Sequence, residues 1–245
     1  MPHGGSPLTI LCPLAAERHA LERSPTWQRL QGDSGTPLRV EVCGPGPRAV
    51  ERWFAAARPE GRLLLLGVAG GIVVGAERGH AGFVDRVVDE AGAAIGSAEV
   101  PASWRGQRWC AASVGVPAST PDAKRALATR TGADVVDMES VAFVLAARRL
   151  APERRIRVSI IRGISDGPDD TLPDGIERLV DERGGTRIAA AIALLARRPS
   201  LLAPLRALGR QTSAAVSAAA ELIPHWLAES GADSAEVRRG RGGQP

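Results

Sequence analysis

At 245 residues the chain is long enough for one large domain or two small ones, with a sizeable buried core. Its 44% hydrophobic and 24% charged content is that of a soluble globular protein, and aromatics at 3% with no Tyr argue against an extended stacking platform for bases or sugars. The net charge of +4 rests almost wholly on arginine, Lys124 being the single lysine, and no basic cluster has interleaved aromatics, so nucleic acid is set aside as a partner.

The opening MPHGGSPLTILCPLAAER has an apolar patch with no basic stretch before it and Glu17-Arg18 directly after it, which is unlike a signal peptide. Leu11 is too bulky for the residue that precedes a lipoprotein-type cysteine. LTILCPL (8–14) reads as a first buried strand. LRVEVCG (38–44) alternates as a second and ends in the glycine turn CGPGPRAV, after which AVERWFAAARP reads as a helix stopped by Pro59. RLLLLGVAGG (62–71) is a central strand running into another glycine turn. The apolar run Leu63–Ala76 is too short and glycine-broken to span a membrane.

WCAASVGVP (109–117) reads as a strand and PDAKRALATRTGA (121–133) as a helix ended by Gly132. A short strand at Val135-Val136 leads into a helix reaching about Leu150, and RIRVSIIRGIS (155–165) is a buried strand whose end carries Asp166. RIAAAIALLARR from Arg187 and the segment after Pro199 are helical, and the polar, Gly-rich end from residue 229 reads as a disordered tail. Strands alternating with helices predict an α/β fold, a central mixed sheet between two helical layers. The expected units are residues 1–198, a helical extension 199–228 and the tail 229–245. Cys12, Cys43 and Cys110 are odd in number and in no CxxC arrangement, so neither a disulfide framework nor a zinc or other metal site is expected, and a reducing cytoplasm fits.

Three carboxylates share a placement. Glu17 follows the first strand, Glu139 the short strand at 135–136, and Asp166 the strand after it. Ligands of α/β sheets gather beyond strand ends, so parallel neighbouring strands would bring all three acids to one cleft. Each also has a plainer account: helix-dipole stabilisation for Glu139, an Asx turn for Asp166, a solvated helix face for Glu17. The glycine turns give a second constellation, Gly44 and Gly46 before a helix with Arg48 in its first turn, and Gly67, Gly70 and Gly71 after the central strand. Such turns present N–H groups to an anion or a hydroxyl. Neither is a GxGxxG or a P-loop, which argues against a nicotinamide cofactor. No GxSxG elbow occurs, which argues against acyl transfer.

VVDMES followed by an apolar helix, with IIRGISDGPDD after it, resembles the purine nucleoside phosphorylase/nucleosidase superfamily, and most closely the methylthioadenosine/S-adenosylhomocysteine nucleosidases. Their glycine-rich turns, MEs helix start and ISD strand end correspond to Cys43–Arg48, Gly67–Gly71, Asp137–Ser140 and Arg162–Asp166, and their early acid falls on Glu17. Within the superfamily, RGGTRIAAAIALLARRPSLLAPLRALGR and PASTPDAKRALATRTGADVVDMES look like the hopanoid-associated branch, whose members act on adenosylhopane, a lipid-linked nucleoside.

The resemblance implies cleavage of an N-ribosidic bond with adenine as leaving group. Asp166 is then the general acid at N7 and Ser165 orients it. Glu139 holds ribose hydroxyls, Met138 packs on the sugar, and backbone near Pro117–Ser119 meets the base, with Gly70 beside it. Glu17 activates water if the reaction is hydrolysis. In a phosphorylase, inorganic phosphate would be the co-substrate, with Gly44, Gly46 and Arg48 as its candidate site. Val68 stands where relatives have a Ser and Leu66 where an Arg is sought, so hydrolysis is favoured. No cofactor is implied. A homo-oligomer, a dimer or larger, is expected, in the cytoplasm. Leu201, Leu205, Leu208, Val216, Ala219, Ile223 and Trp226 fall near helical spacing, so the last helix is expected either to rest on an anionic membrane face or to pack on protein.

Overall fold

Leu63, Leu64, Leu65 and Leu66 are all fully buried, because the strand that carries them is covered on both faces. The computed structural model describes residues 8–33, 38–154, 156–173, 180–185 and 198–228. In chain order the elements are β1 (Leu8–Cys12), α1 (Ala15–Glu22), α2 (Pro25–Asp33), β2 (Leu38–Val42), α3 (Pro47–Ala57), β3 (Arg62–Gly71) and β4 (Ala81–Val88). β5 (Ala94–Ser97), β6 (Arg108–Ser113), α4 (Pro121–Thr131), β7 (Val135–Asp137), α5 (Ser140–Arg154), β8 (Arg157–Asp166) and α6 (Leu202–Ala220) follow. The expected helix at 187–198 and the expected tail lie outside the described residues, apart from Arg198.

The sheet is mixed, as the sequence predicts. β1 lies parallel between β2 and β3, and β3 lies parallel to β8. β8 runs antiparallel to β4, β4 parallel to β6, and β6 parallel to β7. β7 then turns back antiparallel onto the tip of β3, pairing Gly70 with Val136 and Gly71 with Val135. The five strands β3, β8, β4, β6 and β7 thus close on one another. The three strands whose ends carry the acids are not neighbours of one another: β1, β7 and β8 each border β3, and β7 runs against it. Convergence comes from that shared neighbour.

Alternation along β3 divides the core. Leu63 and Leu65 join Val50 and Phe54 of α3, Phe143 of α5 and Ile160 of β8. Leu64 and Leu66 join Leu21 of α1, Trp27 of α2, Val216 of α6 and Trp226. α6 is therefore one of the layers: it packs on β8 and β3, and the Ala215 carbonyl lies 2.0 Å from where a side chain on Gly163 would begin. This divides the stripe expected to meet a membrane. Val216, Ala219, Ile223 and Trp226 are buried in the core, because an apolar sheet face was there to be covered, while Leu201, Leu205 and Leu208 are half-buried and Leu202 is exposed. Among the described residues no helix is long and apolar enough to cross a membrane.

Candidate functional site

The site is built along the last five residues of β3. Glu17 sits in the first turn of α1, with its carboxylate turned inward and 1% exposed. Two backbone N–H groups hold it: Leu14 donates to Oε2 at 2.8 Å and Val68 to Oε1 at 2.8 Å. Position 67 must be glycine for this, since a Cβ there would stand 2.6 Å from Glu17 Oε1 and 2.8 Å from Arg162 Nη1. Burial pushes the Glu17 carboxyl up to about 7, against the two N–H groups and the Arg162 charge, which pull it down.

Arg162, in the middle of β8 and fully buried, links this acid to two more. Its Nη2 stands 2.6 Å from Asp137 Oδ2 and 3.4 Å from Glu139 Oε2, and its Nε donates to Asp137 Oδ2 at 2.9 Å. Nη1 finds no hydrogen-bond partner among the described residues, and it lies on the Gly67 side, where Glu17 is. A buried guanidinium N–H left open next to a carboxylate is a place for a polar group from outside the chain. Asp137 also accepts from the Ser113 hydroxyl at 2.6 Å and from the Ser140 hydroxyl. Burial alone would push its carboxyl up, but Arg162 and the two serines outweigh that and hold it below the usual range. Glu139 goes the other way: burial and the Asp137 charge raise it in spite of Arg162.

The glycine turn before α3 does not stand open for phosphate. Gly46, with φ +79°, aims its N–H at Glu139 Oε1 at 2.7 Å, so the anion at this helix N-terminus is the protein's own carboxylate. Gly44 is packed against the Glu182 backbone, whose carbonyl oxygen lies 2.2 Å from where a Cβ would be. Arg48 is exposed on the outside of α3. Of the three residues assigned to a phosphate or water site, only Gly46 touches the buried cluster.

Asp166 marks the other end. The ladder between β3 and β8 shifts register between Ala69 and Gly70, so Gly70 faces Asp166 instead of Ser165. The Asp166 carboxylate comes within 3.0 Å of where a Gly70 side chain would begin. Oδ1 accepts from the Ser165 hydroxyl at 2.8 Å, and Oδ2 meets Lys124 Nζ at 2.5 Å. A cavity of about 70 Å³ opens here, lined by Gly70, Val114, Pro117, Met138, Asp166 and Leu172 among others. Ser119 is not among the lining residues, but its carbonyl accepts from the N–H of Leu172, which is, at 2.9 Å. The Cε of Met138 lies 4.0 Å from the Gly46 Cβ position, so Met138 bridges the cavity and the Glu139 contact. Gly67 and Gly70 are three residues apart, about 10 Å at the rise of a strand.

The sequence reading missed Arg162, Asp137 and Lys124. Arg162 and Asp137 lay inside the quoted motifs, and the one signal for Lys124 was its being the only lysine. Burial pushes the Cys12 thiol up, and that of Cys43 up to about 12, so neither is a ready nucleophile. Among the described residues no group of His, Cys, Asp and Glu is placed to hold a metal ion.

The model of the Phosphorylase superfamily matches residues 87–197. No curated protein matches the chain. Among solved structures, the 5'-methylthioadenosine/S-adenosyl homocysteine nucleosidase of Helicobacter pylori is similar at 12% identity and a TM-score of 0.64, over 93% of this chain and 100% of that one. The futalosine hydrolase of the same organism is similar at 12% identity and 0.63, over 92% and 98%. The 5'-methylthioadenosine nucleosidase of Arabidopsis thaliana is similar at 17% identity and 0.56, over 89% and 95%. Residues 87–197 carry the sequence pattern of the Phosphorylase superfamily, and the chain as a whole takes the fold of these nucleosidases.

Proposed function

We propose that the protein is an adenine-releasing N-ribosyl hydrolase. The observation that carries this is Glu17, a buried carboxyl poised near 7 beside the open Nη1–H of Arg162. A general base works best with such a value, and Arg162 Nη1 and Glu17 together can hold and deprotonate one water. Asp166, about 10 Å along β3, faces the cavity that would take the base. Between them Glu139 would take the ribose hydroxyls and Met138 the sugar face. As the C1'–N9 bond breaks, its electron pair leaves with the purine, N7 takes a proton through Asp166, and water adds to C1' as Glu17 takes its proton. The superfamily match and the nucleosidase fold support N-ribosyl hydrolase or phosphorylase as the enzyme class. Hydrolysis is the better fit, because the N–H offered at α3 is already taken by Glu139.

For the substrate we infer adenosylhopane, on the resemblance of the segments 117–140 and 183–210. Methylthioadenosine or another soluble adenine nucleoside is equally supported, since the similar structures include nucleosidases of that name. The 70 Å³ cavity is below the roughly 300 Å³ of an ordinary ligand pocket, so substrate binding must widen it. The test is adenine release, followed by chromatography, from adenosylhopane in detergent and from methylthioadenosine, each with and without phosphate. Equal release in both conditions supports the hydrolase. Release that needs phosphate makes it a phosphorylase, and nucleoside binding with no release makes it a non-catalytic binding protein. Release from methylthioadenosine alone removes the hopanoid substrate.

A further inference from the structure

Lys124 is the only lysine of the chain, the other thirty basic residues of thirty-one being arginine, and its side chain is wholly buried. It stands near the N-terminal end of α4, where the helix dipole disfavours a cation, so it is not there for the helix. Its ammonium has three N–H donors and meets three oxygens: Asp166 Oδ2 at 2.5 Å, the Gly167 carbonyl at 2.6 Å and the Asp170 carbonyl at 3.2 Å. The nearby charges are otherwise engaged. Asp170 is gripped by Arg78, Glu77 lies against Gly167 outside the pair, and on α4 itself Arg125 turns outward to Asp122 and Asp169.

Of the groups that donate to the Asp166 carboxylate, the Lys124 ammonium is the nearest, at 2.5 Å against 2.8 Å for the Ser165 hydroxyl. Resting on the nucleosidase reading, we propose that Lys124 is the positioning residue that supplies the purine's proton: it passes from Nζ to Asp166 and from Asp166 to N7 as the glycosidic bond breaks. The departing purine becomes a strong base at that moment, so an amine can give up a proton to it. One proton moves along the line, Lys124 is left as a neutral amine, and it recovers a proton from water once adenine has gone. Arginine, which does not deprotonate in proteins, cannot do this, which gives a reason for a lysine here in a chain that otherwise uses arginine.

The test is the pH profile of adenine release by the wild type, Lys124→Met and Lys124→Arg, each checked for folding by circular dichroism. With the relay, wild-type kcat rises as Glu17 loses its proton near 7 and then stays level above it. If Asp166 drew its proton from solvent, kcat would fall about tenfold per pH unit above 7, and that profile overturns the proposal without any variant. Both variants should show that fall, with kcat down about 100-fold at pH 8 and KM within a few-fold, the size expected for losing a positioned acid. Full rescue by Lys124→Arg, or an equal loss at every pH, would make Lys124 a clamp for residues 167–170 only. Wild type that releases no adenine from any nucleoside would instead sink the nucleosidase reading itself.

Discussion

The two ends of the β3 tip carry the same kind of residue in opposite surroundings. At Gly67 the carboxylate of Glu17 is desolvated, held by two N–H groups, and faces a guanidinium whose other arms are already committed to Asp137 and Glu139. At Gly70 the carboxylate of Asp166 has an ammonium of its own and a serine hydroxyl. On the proposed reading, one end would accept a proton and the other pass one on. Two carboxylates with such different partners are suited to different work, so the contrast says more about chemistry than either residue does alone.

The largest blow to that contrast is Arg162→Leu. It leaves Asp137 and Glu139 buried without their cation, and removing one partner of a buried pair typically costs about 3–5 kcal/mol. Urea unfolding at pH 7 should show a loss of that order, with part of it recovered in acid as the carboxylates take up protons. An unchanged midpoint would mean that the cluster is hydrated and the division between the two ends is weaker than drawn.

Glu17→Gln sharpens the same comparison by touching one end only. Adenine release should fall about 10²–10⁴-fold while Lys124 and Asp166 stay paired. Stability should report the environment as well. A carboxyl raised from 4.5 to about 7 on folding binds more protons in the native state between those values. Its contribution to stability is therefore fully present below 4.5 and lost as pH rises through 7. The loss is about 3 kcal/mol at 1.36 kcal/mol per unit. The wild type should lose stability between pH 5 and 8 by an amount approaching this, and the Gln variant should lack that slope. Parallel slopes would place Glu17 in water.

Much of this arrangement was legible in the sequence, for identifiable reasons. The run of four leucines announced a central strand, but GVAGG, which reads as a turn after it, instead continues β3 to Gly71, because β8 and β7 pair with these residues. Glu17, Glu139 and Asp166 stood out because each follows a strand. Arg162 did not, since one arginine among thirty gives no sign of being the buried one. Lys124 lies in PDAKRALATR, which reads as a helix with no sign of which face is buried, and only tertiary packing turns it inward. β4 went unread because Asp85 and Arg86 interrupt its apolar pattern. The register shift that sets Asp166 opposite Gly70 is a property of the pairing, which no local pattern encodes.

The smallest expected effect tests what the contrast leaves out. Arg48 sits on the exposed side of α3, and the N–H of Gly46 that would greet a phosphate is held by Glu139 at 2.7 Å. Arg48→Ala should therefore change adenine release less than about twofold, with or without phosphate, in line with other exposed substitutions. A phosphate-dependent rate that vanishes in Arg48→Ala would require Glu139 to leave Gly46 and hand it an external anion. The turn at 43–48 would then be a third working end of the site, and water at Glu17 would no longer be the nucleophile.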